Sequence, residues 1–436
     1  MERRRSSYAR PALRLVRQRL RPSPGPSPGV APVSALLGAG RILSLVERFF
    51  GRLHRPVRKN LALLVEAFVT LTAALRSGNG ELTLAAVARA LPLPTSFKDR
   101  YKRLNRFLDN RLFDPQGLTE GLFTVLLGTV TAQATVPVLL DQSTIGAAQL
   151  LLAGIPQAGR ILPLALMTFT YADIQSRPER EKSQNFIEQC FFLRLLEAAP
   201  AGLTLCFILD RGYARLSLMR ELLAEPRACF ILRTRRNVVI ERLKRGRWTR
   251  CRVDSLRVRY GQPQRLERIR YRGWEPIEVD LVIYYARGHK EPWYLVVPPG
   301  SAAWLPTAEV VALYRRRMHI EQGFRDFKTH LGVRGLRLQV RISERVGRLL
   351  MAFTLAYALV VSLGMTQLAE QARERLEDRR AAIRHGTARI LSARTVAALL
   401  LGGLCIEVLA RLALLVDQLL ARTLAGAGLY HVALAL

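Results

Sequence analysis

Hydrophobic and polar positions divide the chain into a helical first part, a mixed middle and a helical end. Between residues 43 and 128 apolar residues recur at helical spacing, and we predict helices at 61–75 and 82–91. From 343 to the C-terminus the spacing is helical again, with breaks expected at Gly364, Gly386, Gly402–Gly403 and Gly426. The pattern therefore predicts helical regions on both sides of a different kind of domain.

The middle of the chain alternates strands with helices. Apolar runs predict strands at 136–140, 161–171, 203–209 and 228–232, with helices at 186–199 and 216–223 between them. This alternation is typical of an α/β domain with buried parallel strands. Short β runs at 237–240, 248–253, 256–260, 267–272, 277–285 and 293–297 then predict an antiparallel meander. A long helix over 307–329, capped by Thr307, is predicted to follow.

Composition narrows the functional classes. Half of the 436 residues are hydrophobic, which excludes a disordered polycation. The 5 cysteines lie far apart without a Cys-x-x-Cys pair, so we expect neither a disulfide scaffold nor a zinc ribbon. The formal net charge of +33 indicates a polyanionic partner, which is either nucleic acid or an anionic membrane. Residues 131–232 have no net charge, whereas residues 233–296 carry +10, and this distribution favours DNA held around a neutral core.

One segment is long enough to cross a membrane. Residues 349–369 contain no charged side chain over 21 positions. The same run includes Thr354, Tyr357, Ser362 and Gln367, and it continues a helical pattern that begins with charged residues. We therefore expect a buried helix of a cytoplasmic protein that has no membrane partner.

A basic segment lies in the first helical region. Thr95 is predicted to cap a helix that carries five basic residues, Lys98, Arg100, Lys102, Arg103 and Arg106. A set of short helices with one basic member is suited to binding duplex DNA, and a solvated charged face is the alternative interpretation.

Two aspartates share an environment in the mixed part. Asp141 and Asp210 each follow a run of apolar residues that is predicted to be a buried strand. Ligands gather beyond the carboxyl ends of parallel strands, so neighbouring strands would place these carboxylates side by side. Like charges at that distance favour a cation between them, and an all-oxygen set without His or Cys indicates Mg²⁺ or Mn²⁺. The alternative interpretation is that each Asp caps a following turn.

A third carboxylate lies on the predicted long helix. The segment YRRRMHIEQGFRDFK at 314–328 contains Tyr314, Arg317, Glu321 and Lys328, which share an arc of about 60° on a regular helix. A helix face with one carboxylate flanked by Arg, Lys and Tyr suits a metal ion next to a phosphodiester. A solvated helix with an Arg317–Glu321 pair is the alternative.

These motifs resemble those of DDE transposases of the insertion-sequence-four type, whose signature is this Y-R-E-K spacing. The resemblance covers residues 45–350, with VPVLLDQSTIG at Asp141, LDRGY at Asp210 and the signature around Glu321. It implies a ribonuclease-H-like core with a β-rich insertion. It also implies that Asp141, Asp210 and Glu321 are the catalytic and metal-binding residues, with two Mg²⁺ or Mn²⁺ ions as cofactors.

The resemblance also implies further site residues and a division into domains. Arg317, Lys328 and Tyr314 would contact the DNA backbone, and Trp293 would hold a flipped base, unless it is a core residue of its strand. From composition, residues 1–44 are expected to be a disordered basic arm and a Pro-, Gly- and Ser-rich linker, and a transit peptide or a start codon placed too early is the alternative for residues 1–21. Residues 45–130 would be a helical DNA-binding domain, 131–232 the first part of the core, 233–300 the insertion, 301–345 the returning helix and 346–436 a helical region for dimerisation. The partner would be double-stranded DNA bound by a homodimer, and a catalytically inactive DNA-binding relic is the alternative.

Overall fold

The computed structural model describes residues 40–74, 82–128, 130, 134–271, 275–330, 342–377, 391–402 and 406–429. Residues 1–39 of the predicted arm and Gly386 lie outside these ranges. Helices and strands are mixed, which confirms the α/β class. The chain forms two compact units: Met1–Phe107 together with Ala352–Leu436, and Leu108–Met351.

Four helices begin the described chain. They are α1 (Arg41–Phe49), α2 (Arg55–Ala74), α3 (Leu84–Ala90) and α4 (Phe97–Leu108). The predicted helices at 61–75 and 82–91 are confirmed within α2 and α3. The predicted Thr95 cap of α4 is wrong by one residue, because Ser96 accepts a hydrogen bond from the Asp99 amide at 3.2 Å and donates to its carboxylate at 2.6 Å.

A mixed sheet of ten strands lies at the centre of the second unit. Its strands are β1 (Thr135–Ile145), β2 (Ala148–Gln157), β3 (Arg160–Phe169), β4 (Thr204–Leu209), β5 (Ala228–Arg233), β6 (Val239–Lys244), β7 (Arg247–Arg252), β8 (Gln264–Tyr271), β9 (Ile277–Tyr284) and β10 (Trp293–Val297). The strand order is β3-β2-β1-β4-β5-β10-β9-β8-β6-β7. The β1–β4 and β4–β5 pairs are parallel, and the remaining pairs are antiparallel.

Four helices accompany the strands of the core: the first precedes β1 and the other three lie between strands. They are α5 (Thr119–Leu127), α6 (Tyr171–Gln175), α7 (Gln184–Ala198) and α8 (Leu216–Ala224). The predicted helices at 186–199 and 216–223 are confirmed as α7 and α8. The longer α7 and α8 join β3 to β4 and β4 to β5, so they provide the crossovers that parallel strands require.

Two strands differ from the prediction. The strand predicted at 136–140 continues through Asp141 to Ile145, because its polar second half pairs with β2 in a hairpin that turns at Gly146. The partner strand β2 was not predicted at all. Residues 256–260 form no strand: Val253–Ser255 is a short 3₁₀ turn, and Tyr260 forms only an isolated bridge with Tyr285.

The β-rich segment shares the sheet of the core. The predicted antiparallel pairing is confirmed from β6 to β10, but the predicted meander is wrong at one point, because β8 pairs with β6 and leaves β7 at the edge. Strand β10 also pairs with β5 of the core. The last strand of this segment, β10, therefore lies next to β5 in the middle of the sheet.

The long helix predicted over 307–329 is interrupted. It consists of α9 (Thr307–Arg315), α10 (Met318–Arg325) and a π-helical turn, Asp326–His330. Between α9 and α10 the amides of Arg317, His319 and Ile320 bond to carbonyls three residues earlier, so the chain tightens into a 3₁₀ turn. The predicted Thr307 cap is also wrong, because Pro306 is the residue at the cap position and makes no side-chain bond.

Helix α10 packs closely on strand β3. A Cβ atom on Gly323 would lie 2.3 Å from Cγ2 of Ile161, so only glycine permits this approach. Next to it, the buried Asp326 pairs with Arg160 at 2.7 Å. These two contacts hold the end of α10 against the sheet.

The last described helices are α11 (Ser343–Leu363), α12 (Gln367–Leu376), α13 (Ala393–Leu401) and α14 (Ile406–Leu424). The breaks predicted at Gly364, Gly402 and Gly426 are confirmed, while Gly403 lies outside the described residues. By length and hydropathy α11 could span a membrane, but its apolar window is wholly buried. Core helices of soluble proteins pass the same test, so α11 is weak evidence for a membrane segment.

Replacing Gly323 with alanine tests the packing of α10. Alanine favours a helix by about 1 kcal/mol over glycine, but the clash with Ile161 forces α10 away from β3. We expect a net loss of about 1–3 kcal/mol in the free energy of unfolding, measured by calorimetry. Arg325→Ala on the exposed side of α10 is the control, and an equal or more stable Gly323→Ala protein would contradict the packing argument.

Candidate active site

The pairing of β1 with β4 places two aspartates at one level of the sheet. Leu139 is the partner of Ile208 in this parallel register. Continued by two residues, the same register brings Asp141 opposite Asp210. Both carboxylates therefore lie where β4 ends and where β1 goes on alone with β2.

Each aspartate uses one oxygen to hold its own backbone. Oδ1 of Asp141 accepts from the Gln142 amide at 2.8 Å, and Oδ1 of Asp210 accepts from the Gly212 amide at 2.7 Å. Asp210 thereby caps the 3₁₀ turn Arg211–Tyr213. A Cβ on Gly212 would lie 3.0 Å from that same oxygen, so glycine leaves the carboxylate undisturbed. Both carboxylates are thus fixed by short local bonds.

Arg317 joins Asp141 to Glu321. Its guanidinium lies 3.5 Å from Oδ2 of Asp141 and 2.5 Å from Oε1 of Glu321. Burial opposes the charge of Arg317, but Tyr314, Glu321, Asp141 and Asp210 together raise its pKa above the ordinary value. Two of the three predicted acidic residues, Asp141 and Glu321, therefore contact Arg317, and Asp210 is close enough to influence its ionisation.

Burial raises the pKa of Asp141 to about 6. The Gln142 amide and Arg317 lower it, while the charges of Asp210 and Glu321 raise it further. The carboxylates of Asp210 and Glu321 are thus close enough to Asp141 to act on its ionisation. Because these two carboxylates repel the negative charge on Asp141, Arg317 compensates that charge only in part.

The donor set is that of a hard divalent cation. Carboxylate oxygens without nitrogen or sulfur ligands suit Mg²⁺ and Mn²⁺, and the pKa of Asp141 is raised chiefly by burial and further by the charges of Asp210 and Glu321. As they stand, no three acidic, His or Cys side chains of the described ranges are close enough together to enclose an ion. Arg317 lies between Asp141 and Glu321, and the Glu321 side chain is 42% exposed. The residues fit such an ion provided that Glu321 turns away from Arg317.

An aromatic cluster lies beside this site. The Trp293 ring stacks on His289 at 4.2 Å and 20°, and it meets the edge of Tyr314 at 4.9 Å. Tyr284 completes the cluster 6.0 Å from Trp293. Trp293 is half-buried, whereas Tyr314 is buried and hydrogen-bonded to Arg233, and its burial raises its pKa. The structure therefore brings Trp293 and Tyr314 together and leaves part of the Trp293 ring accessible.

Sequence reasoning missed an acidic bridge next to the site. Glu291 accepts hydrogen bonds from Arg211 at 2.9 Å and from Arg233 at 2.6 Å. Arg211 directly follows Asp210, and Arg233 reaches Tyr314. The proximity of Arg211 to Asp210 along the chain was the available signal, while Arg233 and Glu291 join the site only through the fold.

The remaining predicted DNA-binding residues belong to two other elements. Lys328 lies in the π-helical turn after α10 and is partly exposed. The basic helix α4 belongs to the other compact unit. Four of its predicted residues are exposed, and they are Lys98, Lys102, Arg103 and Arg106.

Arg100 of α4 has a structural task instead. Its guanidinium donates to the carbonyls of Arg89 at 2.9 Å and Leu91 at 3.3 Å, at the end of α3. These bonds satisfy carbonyls that a helix end leaves open.

Comparison with known proteins adds an independent finding. No curated protein matches the chain. Residues 170–359 match the family model described as the transposase DDE domain. The matched range includes Asp210, Trp293 and the complete set Tyr314, Arg317, Glu321 and Lys328, and it begins after Asp141. With two of the three carboxylates inside it, this match supports a DDE transposase.

Proposed function

We propose that the protein is a transposase of the insertion-sequence-four type, which cleaves DNA at the ends of its element and joins them to target DNA. The observation that supports the proposal is that Arg317 contacts both Asp141 and Glu321, with Asp210 near enough to raise the pKa of Asp141, while Asp210, Arg317 and Glu321 lie in the range that matches transposases. Phosphoryl transfer requires positioning and charge neutralisation rather than a protein nucleophile, and this site offers both.

The sheet supports a ribonuclease-H-like core. Its first five strands are ordered β3-β2-β1-β4-β5, with β2 antiparallel to its neighbours and helices in the crossovers between parallel strands. Asp141 and Asp210 come from its two central parallel strands. Glu321 comes from α10, which packs on β3. The β-rich segment between Asp210 and Glu321 is the proposed insertion.

Asp141, Asp210 and Glu321 are the residues that would hold Mg²⁺ or Mn²⁺. When bound, two such ions supply activation of the attacking water or 3′-hydroxyl and stabilisation of the leaving oxygen. Arg317 would then leave Glu321 and neutralise a phosphate of the transposon end, because guanidinium binds phosphate in a bidentate manner. Lys328 on the following turn is proposed to bind an adjacent phosphate.

Trp293 is the proposed stacking platform for a flipped base. Its stacking partner in the structure is His289, a single aromatic ring that a base of similar size could replace. Tyr314 holds Trp293 from the side and lies near Arg317, so platform and phosphate ligand are coupled. On binding DNA, the hydroxyl of Tyr314 would turn from Arg233 to the DNA backbone.

The expected partner is double-stranded DNA, both the element's ends and the target. The exposed Lys98, Lys102, Arg103 and Arg106 of α4 would bind the duplex backbone non-specifically. A homodimer formed on DNA, with contacts from the C-terminal helices, would hold two ends together. The proposal places this dimer in the cytoplasm, in association with the nucleoid.

Removal of a carboxylate tests catalysis. We expect Asp210→Asn and Glu321→Gln to lower Mg²⁺-dependent cleavage by roughly 10³-fold or more, because each proposed ligand is essential for charge neutralisation. The substrate is a supercoiled plasmid that carries the DNA from both sides of the gene. Glu179→Gln, an exposed acid of the same unit, is the matched control. Cleavage that persists in the first two variants would remove these residues from the active site.

Substitution of Asp141 tests the charge balance without DNA. The pKa of Asp141 rises from 3.8 to about 6 on folding, so the folded state loses stability as pH increases through that window. At pH 8 in EDTA, Asp141→Asn should increase the free energy of unfolding by about 1–2 kcal/mol, which is less than the full shift implies because the partly exposed carboxylate is screened by solvent.

Mg²⁺ should then raise the melting temperature of the native protein and not that of Asp141→Asn, because binding to the folded state stabilises it. Differential scanning calorimetry with and without Mg²⁺ measures both effects. Equal stabilisation of the two proteins by Mg²⁺ would show that Asp141 is not a ligand.

Truncation of Trp293 separates its two interpretations. Trp293→Ala should leave the first nick almost unchanged and slow the following step by roughly tenfold or more, because base stacking on an aromatic ring is worth about 1–3 kcal/mol. A time course on denaturing gels measures the two steps, with Trp304→Ala, an exposed tryptophan, as control. Equal losses at both steps would indicate a purely structural role.

A further inference from the structure

Strands β6 and β7 form a two-stranded ribbon at the outer edge of the sheet. Val239 to Lys244 pair with Arg252 to Arg247 through a complete antiparallel register, and β7 is the last strand of the sheet. The turn between them is Arg245–Gly246, with φ values of 48° and 76°. Positive φ at both central residues is the mark of a tight type I′ hairpin. The ribbon is therefore short and geometrically well defined.

The ribbon is exposed and strongly basic. Every residue from Leu243 to Arg250 is exposed. Among residues 239–252, Glu241 is the single acid, against six basic residues, which are Arg242, Lys244, Arg245, Arg247, Arg250 and Arg252. Charges on an edge strand also prevent aggregation, but either sign of charge would do so. The uniform sign therefore points to a polyanionic ligand.

The turn of the ribbon has an arginine, Arg245, at a backbone position where another residue type would be more stable. Left-handed backbone favours Gly, Asn or Asp and costs other residues about 1 kcal/mol or more. Arg245 has φ 48°, yet its side chain is exposed and no packing explains the choice. The equivalent turn between β2 and β3, Ala158–Gly159, has φ values of 46° and 73° and carries no charge. Ala158 shows that this backbone position accepts a residue without a charge, so the turn itself does not require the positive charge at the tip of the β6–β7 ribbon.

Two large apolar side chains complete the tip. Leu243 and Trp248 lie directly opposite each other and are 60% and 39% exposed. The guanidinium of Arg270 lies 4.0 Å over the Trp248 ring. The tip thus combines apolar surface with flanking cations, as do ribbons that bind within a groove of DNA.

A groove lined mainly by arginines connects the end of the ribbon with Arg211. Arg252, at the end of β7, lines a groove of about 420 Å³ together with Arg211, Arg235 and Arg236. Arg235 and Arg236 are exposed and form no ion pair among the described residues. Arg211, the residue after Asp210, lies at the other end of this path. A polyanion on the ribbon could therefore reach Arg235 and Arg236, in a groove that is also lined by Arg211, which pairs with Glu291, and by Arg252, which pairs with Asp254.

We propose that the β6–β7 ribbon is an arm that enters the major groove of duplex DNA on the substrate side of the active site. The major groove admits a two-stranded ribbon, whereas the minor groove is about half as wide. Lys244, Arg245 and Arg247 bind the phosphates at the groove edges, and Leu243 and Trp248 contact base edges. The arm rests on the proposed function for its DNA ligand and adds a binding element distinct from α4 and the Y-R-E-K residues.

The paired turns provide a matched experiment. Arg245→Asn and Ala158→Asn place a favoured residue at the same backbone position, so each should raise the melting temperature by roughly a degree or more. Only Arg245→Asn should weaken binding of the full-length protein to a 30-base-pair duplex. The expected loss is about five- to tenfold at 0.1 M salt, with the slope of log affinity against log salt reduced by about 1. Fluorescence anisotropy in EDTA measures both quantities.

Binding without Mg²⁺ separates this proposal from the catalytic one. If the protein cleaves no DNA but Arg245→Asn lowers its affinity for the duplex and the slope of log affinity against log salt, the proposed arm is supported and the proposed reaction is rejected. If cleavage is normal and Arg245→Asn binds like Ala158→Asn, the arm is overturned. The combined variant Lys244→Ala, Arg245→Asn and Arg247→Ala should reduce this slope by about 2–3. It tests the ribbon as a whole, so that the conclusion does not depend on Arg245 alone.

Chemical interference identifies the groove. Methylation of guanine N7 marks the major groove, and methylation of adenine N3 marks the minor groove. With the native protein, we expect methylation of guanine N7 to interfere with binding at defined positions of the duplex. With the combined variant, methylation at those positions should no longer interfere. Interference that moves only at adenine N3 would overturn the major-groove assignment. An equal loss of affinity for single-stranded DNA or RNA would overturn the duplex ligand.

Discussion

The parallel pairing of β1 with β4 is the constraint on which the candidate site depends. It sets Asp141 and Asp210 at one level, and the hairpin of β1 with β2 then carries β1 past the end of β4. Both aspartates consequently lie just beyond the last residue pair of β1 with β4. At Asp141, β1 is paired with β2 on one side and has no partner among the described strands on the other. Helix α10 can approach this edge because Gly323 packs on Ile161, and that approach delivers Glu321.

The electrostatics of the second unit follow from this geometry. Burial of Asp141 near two other carboxylates makes its charge costly, and Arg317 compensates part of it. An arginine that pairs with two carboxylates without DNA has a second use once a phosphate is present, because phosphate competes for the same guanidinium. The core of the second unit thus carries the carboxylates without net charge, while the outer strands carry the excess positive charge.

Much of the fold could be predicted from the sequence because local patterns dominate it. Buried strands such as β4 and β5 are continuous apolar runs, and glycines end α11 and α13. The errors occur where tertiary contacts override the local pattern. The polar half of β1 is a strand because β2 pairs with it, and the helix over 307–329 breaks at Arg317, where the side chain turns to Asp141 and Glu321.

The sequence by itself determined the identity of the chemical groups: three carboxylates, the Y-R-E-K spacing and a basic chain with a neutral centre. Residue type and spacing are local properties, so they can be recognised without coordinates. Only the tertiary structure decided which groups meet. Strand register, the interruption at Arg317 and the Glu291 bridge between Arg211 and Arg233 join residues far apart in the chain. Such contacts depend on the packing of whole elements, and no short segment encodes them.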